Sequence, residues 1–338
     1  MKGQPMSILS RFVTGAVGAS ATLALLLSTP ASADDAIRIL CPTWPGYAPV
    51  FVANDLGYFK DLGITVTINF DDTRADVLAA MARGDIEIDM RTVGEHQGAP
   101  RDASTPGIII GTIDESLGGD GVIVDDTIKT VADMKGKAVA VEPNIPARLL
   151  LQLELKKAGM TLKDLDLKEI ATADTVAVFA DPSVPVVATY EPFMSQAVKN
   201  LPDRHPRIFI SSKDYPGIII DVIVARNDDL KANPEKYKKF LTGIYKAVDY
   251  YKTNPADFIK LAAPHFNLSE ADVKDILDTR LVYTDYKETS DYIGAPGKPG
   301  KLYGIFNTVM ELNLENGAAE TKLDPNQQID PSIIPGLF

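Results

Sequence analysis

The chain has 338 residues, 46 acidic against 34 basic, for a formal net charge of −12. So acidic a protein does not seek nucleic acid or an anionic membrane surface. A single cysteine, Cys41, excludes a disulfide framework and a cysteine-based metal site; within the apolar run "IRILCP" it reads as a small core residue rather than a nucleophile.

Residues 1–33 read as a secretory signal peptide. Lys2 and Arg11 give a basic start, residues 12–27 are mostly apolar or small, and "STPASA" closes on an A-x-A pattern before Asp34. Cleavage after about Ala33 would place the protein in the periplasm and, since the leader holds no acid, leave it more acidic still. What remains is long enough for two lobes or one large domain. No other window approaches the length of a membrane span.

In chain order, "AIRILCPT" (36–43) is a short apolar strand, and "APVFVANDLGYFKDLG" (48–63) is amphipathic at helical spacing. "ITVTINF" (64–70) alternates like a strand, and Thr73 with Asp76 forms a T-x-x-D capping signature for the helix "RADVLAAMARG". "IEIDM" and "GIIIGT" are further strands. The pattern restarts after "GGDG" (118–121), with "GVIV", "KAVAVEP", the helix "ARLLLQLELKKAG", "LKEIAT", "VPVVATYEP" and "RIFISS". "GIIIDVIVAR" (217–226) is a β-branched strand, and from Asn233 the composition turns helical, with Ser269 and Asp272 as another capping pair. The tail from Leu323 reads as extended. This alternation predicts an α/β fold with mostly parallel sheets covered on both faces. Two glycine-flanked β crossings, near 117–121 and 217–222, bracket the central unit and suit a hinge between two lobes.

Several segments carry a family resemblance: "GYAPVFVANDLGYFKDLGITVTI", "DVLAAMARGDIEID", "DESLGGDGVIV", "IKTVADMKGKAVAVE", "YEPFMSQAV" and "SSKDYPGIIIDVIVARND". Together, from about residue 37 to 320, they resemble the periplasmic solute-binding proteins of ABC importers, in the nitrate/taurine/sulfonate group that also includes proteins for thiamine-pyrimidine precursors. The resemblance implies a two-lobed α/β periplasmic binding protein fold, with 34–117 and 221–338 forming lobe one and 118–220 lobe two. It implies a monomer that closes over one small-molecule solute, needs no cofactor, and docks on a membrane permease. Where relatives carry a Gly-Lys-Val-Asp-Ala-like segment, this chain has "ADPSVPVVA" (180–188), which implies a differently shaped edge of lobe two.

Ligands of open α/β sheets sit beyond the carboxyl ends of the strands. Those ends deliver Trp44 and Tyr47, then Asp71 and Asp72, then Arg91, Thr92, Glu95 and His96. The crossings carry Asp114, Glu115, Ser116, Asp120 and Asp221, and lobe two offers Glu142, Asn144, Tyr190 and Glu191. From these the ligand-binding set is Trp44, Tyr47, Asp71, Glu95, Asp114, Ser116, Asp120, Asn144, Tyr190 and Glu191. Trp44 either packs over the lobe edge or offers a flat wall to a planar or cationic guest, with Tyr190 opposite. Asp120 is either a cleft acid or a turn aspartate bonded to its own backbone. Acids dominate, and a desolvated carboxylate needs a donor or a cation. The set therefore favours an amine, amidine or nitrogen heterocycle. An anionic solute such as taurine, alkanesulfonate or nitrate is the alternative, with Arg91 and the helix start near Asn144 as its binders. His96, His205 and His265 lack metal-ligand spacing, and no nucleophile motif is present, so no metal is expected, and a binding protein is expected rather than an enzyme, with a secreted enzyme using paired carboxylates as the lesser alternative.

Overall fold

The computed structural model describes residues 35–338, so the leader expected over 1–33 lies outside the described residues. Eleven strands build two main sheets. The first contains β1 (Ala36–Cys41), β2 (Thr65–Phe70), β3 (Ile88–Thr92), β4 (Ile108–Ser116), β10 (Ile220–Ala225) and β11 (Leu281–Tyr283), in the order β11-β4-β10-β3-β1-β2. The second contains β5 (Asp120–Val124), β6 (Ala138–Val141), β7 (Asp166–Glu169), β8 (Val186–Tyr190) and β9 (Arg207–Ser211), in the order β7-β6-β8-β5-β9. The chain leaves the first sheet after Ser116, builds the whole second sheet, and returns at Ile220.

Both sheets are mixed rather than mostly parallel. β1 runs parallel to β2 and β3, and β6 to β7 and β8. β10 is antiparallel to both β3 and β4, and β5 to both β8 and β9. The strands that arrive by the two crossings, β5 and β10, run against their neighbours, and so does the edge strand β11 against β4.

The core follows from residue choice. Ile37, Ile39 and Cys41 alternate inward along β1, and Ile88 and Met90 of β3 and Val222 and Val224 of β10 are fully buried. Each such aliphatic side chain contributes about 1.5–3 kcal/mol relative to exposure. The helix expected over 48–63 is two helices, Ala48–Asp55 and Tyr58–Asp61, because Gly57 between them adopts a left-handed φ of 77°. The helix Arg74–Arg83 forms without the expected Thr73–Asp76 box; Asp71 instead accepts the Thr73 N–H at 2.9 Å. Ser269 does cap its helix, accepting the Asp272 N–H at 3.1 Å. The tail folds back on the first sheet, with Ile329 bridging to Ile109 and Ile333 and Ile334 buried. Among the described residues, no helix is long and apolar enough to cross a membrane.

One buried hydroxyl ties the two crossings together. Ser212, between β9 and β10, accepts the N–H of Gly118 at 2.7 Å and of Asp120 at 3.3 Å, and sits 2.9 Å from the Ser116 hydroxyl. With both lone pairs used, its proton goes to Ser116, which leaves the Ser116 proton for the Asp120 carboxyl. Ser212→Ala strands two buried N–H groups. It should lower stability by about 1–3 kcal/mol, read as a lower urea midpoint. An unchanged midpoint would show that the crossings do not depend on this node.

Candidate functional site

The first connection after β1 turns sharply through Pro45–Tyr47, and a side chain at Gly46 would collide with Trp44 Nε1 and Asp114 Oδ2. That close approach lets the Trp44 indole N–H donate to Asp114, at 3.1 Å to Oδ2 and 3.4 Å to Oδ1. The far edge of the indole lies against Gly119, and the Tyr190 ring meets it edge-on at 6.3 Å between centroids. Trp44 therefore belongs to one sheet's body and packs on the other. Tyr47 donates its hydroxyl to Asp221.

These side chains border a small pocket with a free volume of about 20 Å³ where the two sheets face each other. The first sheet's body contributes Pro42, Trp44, Tyr47, Thr92, Glu95 and Asp221, and the second's contributes Asp120, Pro146 and Tyr190. Asp120 and Tyr190 are directly paired in the antiparallel β5–β8 ladder, which places both on the cavity face. Pro146 stands at the first turn of the helix Pro146–Lys157, where its missing N–H costs nothing. Glu95 also borders a larger outer hollow of about 480 Å³, with Asp72, Arg74, Glu142, Asn144 and Glu169 around it.

Charge is distributed unevenly around the cavity. Glu95 accepts from Thr92 N at 3.1 Å, Thr92 Oγ1 at 2.9 Å and Arg91 Nη1 at 3.3 Å. Burial works against the Arg91 charge, but Glu95 and Asp89 more than offset it and raise its pKa. Asp114 and Asp221, register partners in the β4–β10 ladder, have no such cation. Burial, and then their mutual repulsion for Asp221, pushes both well above the ordinary carboxylate range, against the Trp44 and Tyr47 donors. Burial pushes Asp120 up to about 7 despite the Ser116 hydroxyl, with Glu95 and Glu191 adding to the rise. Asp114, Asp120 and Asp221 have no lysine or arginine at ion-pair distance among the described residues; the nearby guanidiniums of Arg91 and Arg280 are held by other acids.

The ten expected ligand residues divide by this geometry. Trp44, Tyr47, Glu95, Asp120 and Tyr190 line the cavity, and Asp114 and Ser116 stand behind it as hydrogen-bond partners. Asn144 borders the outer hollow, with a left-handed φ of 64°. Asp71 and Glu191 lie outside both. Asp71 spends its carboxylate on the Thr73 turn. Glu191 follows Tyr190, so strand alternation turns it away from the cavity. Its buried carboxylate accepts Ser195 N at 3.0 Å and Ser195 Oγ at 2.9 Å, with Arg280 Nε at 3.5 Å. Pro42 and Pro146 are additions with no chemical signature in the sequence. Asp221 and Thr92, visible as strand-end residues, join the wall because β10 lies between β3 and β4.

Residues 44–258 match the sequence profile of the family described as NMT1/THI5 like. A protein of Brucella abortus (strain 2308), provisionally designated a binding protein, is 25% identical over 214 residues. The match covers 61% of this chain and 63% of that relative, so the chain spans less than two thirds of the relative's length. Among solved structures, the periplasmic aliphatic sulphonate binding protein of Escherichia coli superposes with a TM-score of 0.69 at 19% identity, covering 88% of this chain and 93% of the other. The periplasmic nitrate-binding protein of Synechocystis PCC 6803 gives a TM-score of 0.70 at 14% identity, covering 87% and 84%. Likeness at such identities establishes the two-lobed periplasmic binding protein fold and leaves the solute open.

Asp120 titrates near 7 in the fold against an ordinary value of 3.8, so between these the folded state holds a proton that the unfolded chain has lost. Stability without ligand should therefore fall as pH rises from about 4 to about 7, with a drop in melting temperature on the order of 5 °C. Asp114 and Asp221, also raised, contribute to the same fall, so Asp120→Asn should lessen the slope in calorimetric scans without abolishing it, and an equally steep slope in the variant would remove Asp120 from this role.

Proposed function

The chain belongs to the NMT1/THI5-like family, and on that premise we propose that it is the periplasmic solute-binding protein of an ABC importer. In this reading a monomer closes on a small nitrogen-bearing cation, an amine, amidine or protonated heterocycle, and delivers it to a membrane permease. Segments 34–117 and 221–338 move as one jaw and 118–220 as the other, with the two crossings as hinge.

The observation that carries the reading is the set of buried aspartates without a cation. Asp120 and Asp221 line the cavity, and Asp114 is held just behind it by the Trp44 indole. Keeping such groups ionised and unpaired in a dry site costs several kcal/mol, and a guest with positive charge and N–H donors removes that cost. Trp44 and Tyr190 add ring faces and edges suited to a small cation. About 20 Å³ is free in this closed arrangement, little more than a water molecule needs, so entry of a solute requires the jaws to part. Ligand then favours closure through its higher affinity for the closed state. An alkanesulfonate or nitrate would meet carboxyls, since Arg91 is already engaged by Asp89 at 3.6 Å and Glu95 at 3.3 Å.

Thermal-shift titration with amines, guanidines and aminopyrimidines, beside taurine, alkanesulfonates and nitrate, tests the charge assignment. Cations should raise the melting temperature with the logarithm of concentration over Kd; a rise with sulfonates alone overturns it. For the best cation, Asp120→Asn and Asp221→Asn should each weaken binding at least tenfold, about 1.4 kcal/mol. Affinity should also climb as pH rises through about 7, because the cation displaces a proton from Asp120. Affinity that stays flat across that range would mean that the guest does not pair with these acids.

A further inference from the structure

The opposite end of the first sheet carries a second hollow, of about 750 Å³, between the starts of β3 and β4 and the end of β10. Three arginines line it: Arg83 from the last turn of the helix Arg74–Arg83, Arg101 from the loop before β4, and Arg226 just past β10. Asp102 and Asp228 share the wall, so what the arginines can offer a guest depends on how far those acids engage them.

The backbone around the hollow makes room for two of these guanidiniums. Gly84 sits at a left-handed φ of 78°, and a side chain there would collide with Nη1 of Arg226. At Gly107, a Cβ would lie 3.1 Å from Nη1 of Arg101 and 2.9 Å from Val224 Cγ1. Asn227 fixes the Gly107 turn by accepting its N–H at 2.6 Å.

The three arginines differ in counter-charge, and among the described residues Arg101 alone of them has none at ion-pair distance. Arg101 is partly buried and donates only to carbonyls, at 3.0 and 2.7 Å to His96 O and 3.4 Å to Pro106 O; no carboxylate lies at ion-pair distance among the described residues. Burial, and then the nearby Arg74, pushes its guanidinium down to about 9, which fits a cation lacking a partner. Arg226 pairs through Nε with Asp228, whose side chain is 79% exposed, and Arg83 pairs with the exposed Asp85. The other carboxylate on the wall, Asp102, already accepts from Ser104 and Thr105.

We propose that this hollow is a second ligand site, for a small multivalent oxyanion of the phosphate or polycarboxylate class, gripped by Arg83, Arg101 and Arg226. Guanidinium forks match the oxygens of such groups bidentately. The volume lies within the range of small-molecule sites and exceeds the needs of a single inorganic ion, so an organic phosphate or a di- or tricarboxylate is the natural size. The site stands at the end of the sheet away from the aspartate-lined cavity, so its occupant and the cationic solute do not compete for the same groups.

Calorimetric titration of the mature protein with pyrophosphate and with citrate, at ionic strength matched with sodium chloride, tests this. Saturable one-site binding is expected for at least one probe, weakened tenfold or more by Arg226→Gln and by Arg101→Gln. Arg83 is the exposed member, its side chain 63% exposed and paired only with the exposed Asp85, so Arg83→Gln, which should weaken binding likewise, keeps the test valid should the variants of the more buried Arg101 and Arg226 fail to fold. No saturable heat beyond the chloride control, or binding unchanged in the folded arginine variants, overturns the proposal.

Discussion

A carboxyl group taken out of water must find a cation, collect hydrogen-bond donors, or keep its proton, and this rule organises the region where the two sheets meet. Asp89 and Glu95 take the first course, sharing Arg91, with Arg74 also on Asp89. Glu191 takes the second, with two bonds from Ser195 and Arg280 beside it. Asp114 draws on the Trp44 indole and the Asp221 carboxyl, Asp120 on Ser116 and Asp221 on Tyr47, and their raised pKa values mark protons retained. The third group is the one with capacity left for a visitor.

The same interior decides how firmly the two halves hold together. Few strong interactions cross between them. The ion pairs Lys156–Glu315 and Lys199–Asp272 are exposed, and such pairs contribute about 0–1 kcal/mol. Gln152 reaches the Asn316 carbonyl at 3.2 Å, and Tyr190 faces Asp72 at 3.5 Å. The Glu191–Arg280 pair is the most deeply set, yet its 3.5 Å separation and the partly exposed arginine make it modest. Halves joined by many weak terms are easily biased by a guest, which suits the solute-binding role proposed above.

Much of this was legible in the sequence, and the failures have identifiable causes. Reading the carboxyl ends of strands located Trp44, Tyr47, Glu95, Asp120 and Tyr190, because chain direction and period-two alternation determine where such ends point. Glu191 was misplaced by one step of that alternation. Asp71 was claimed by a local turn that composition alone does not distinguish from a cleft loop. Asp114 and Ser116 were read as crossing residues, whereas β4 runs on through Ser116 and holds both inside the ladder. The antiparallel insertion of β10 between β3 and β4 depends on long-range pairing, so the adjacency of Asp114 and Asp221 was invisible to any local pattern. The arginine-lined hollow assembles from positions 83, 101 and 226, too far apart in the chain for any motif to join them.

Trp44 is the chain's sole indole, and it is buried with its ring edge against Gly119 and Tyr190 of the other half. Parting the halves would wet that ring and move its emission to longer wavelengths. For the proposed opening, this indole is a built-in optical gauge, readable in real time without a dye or a label.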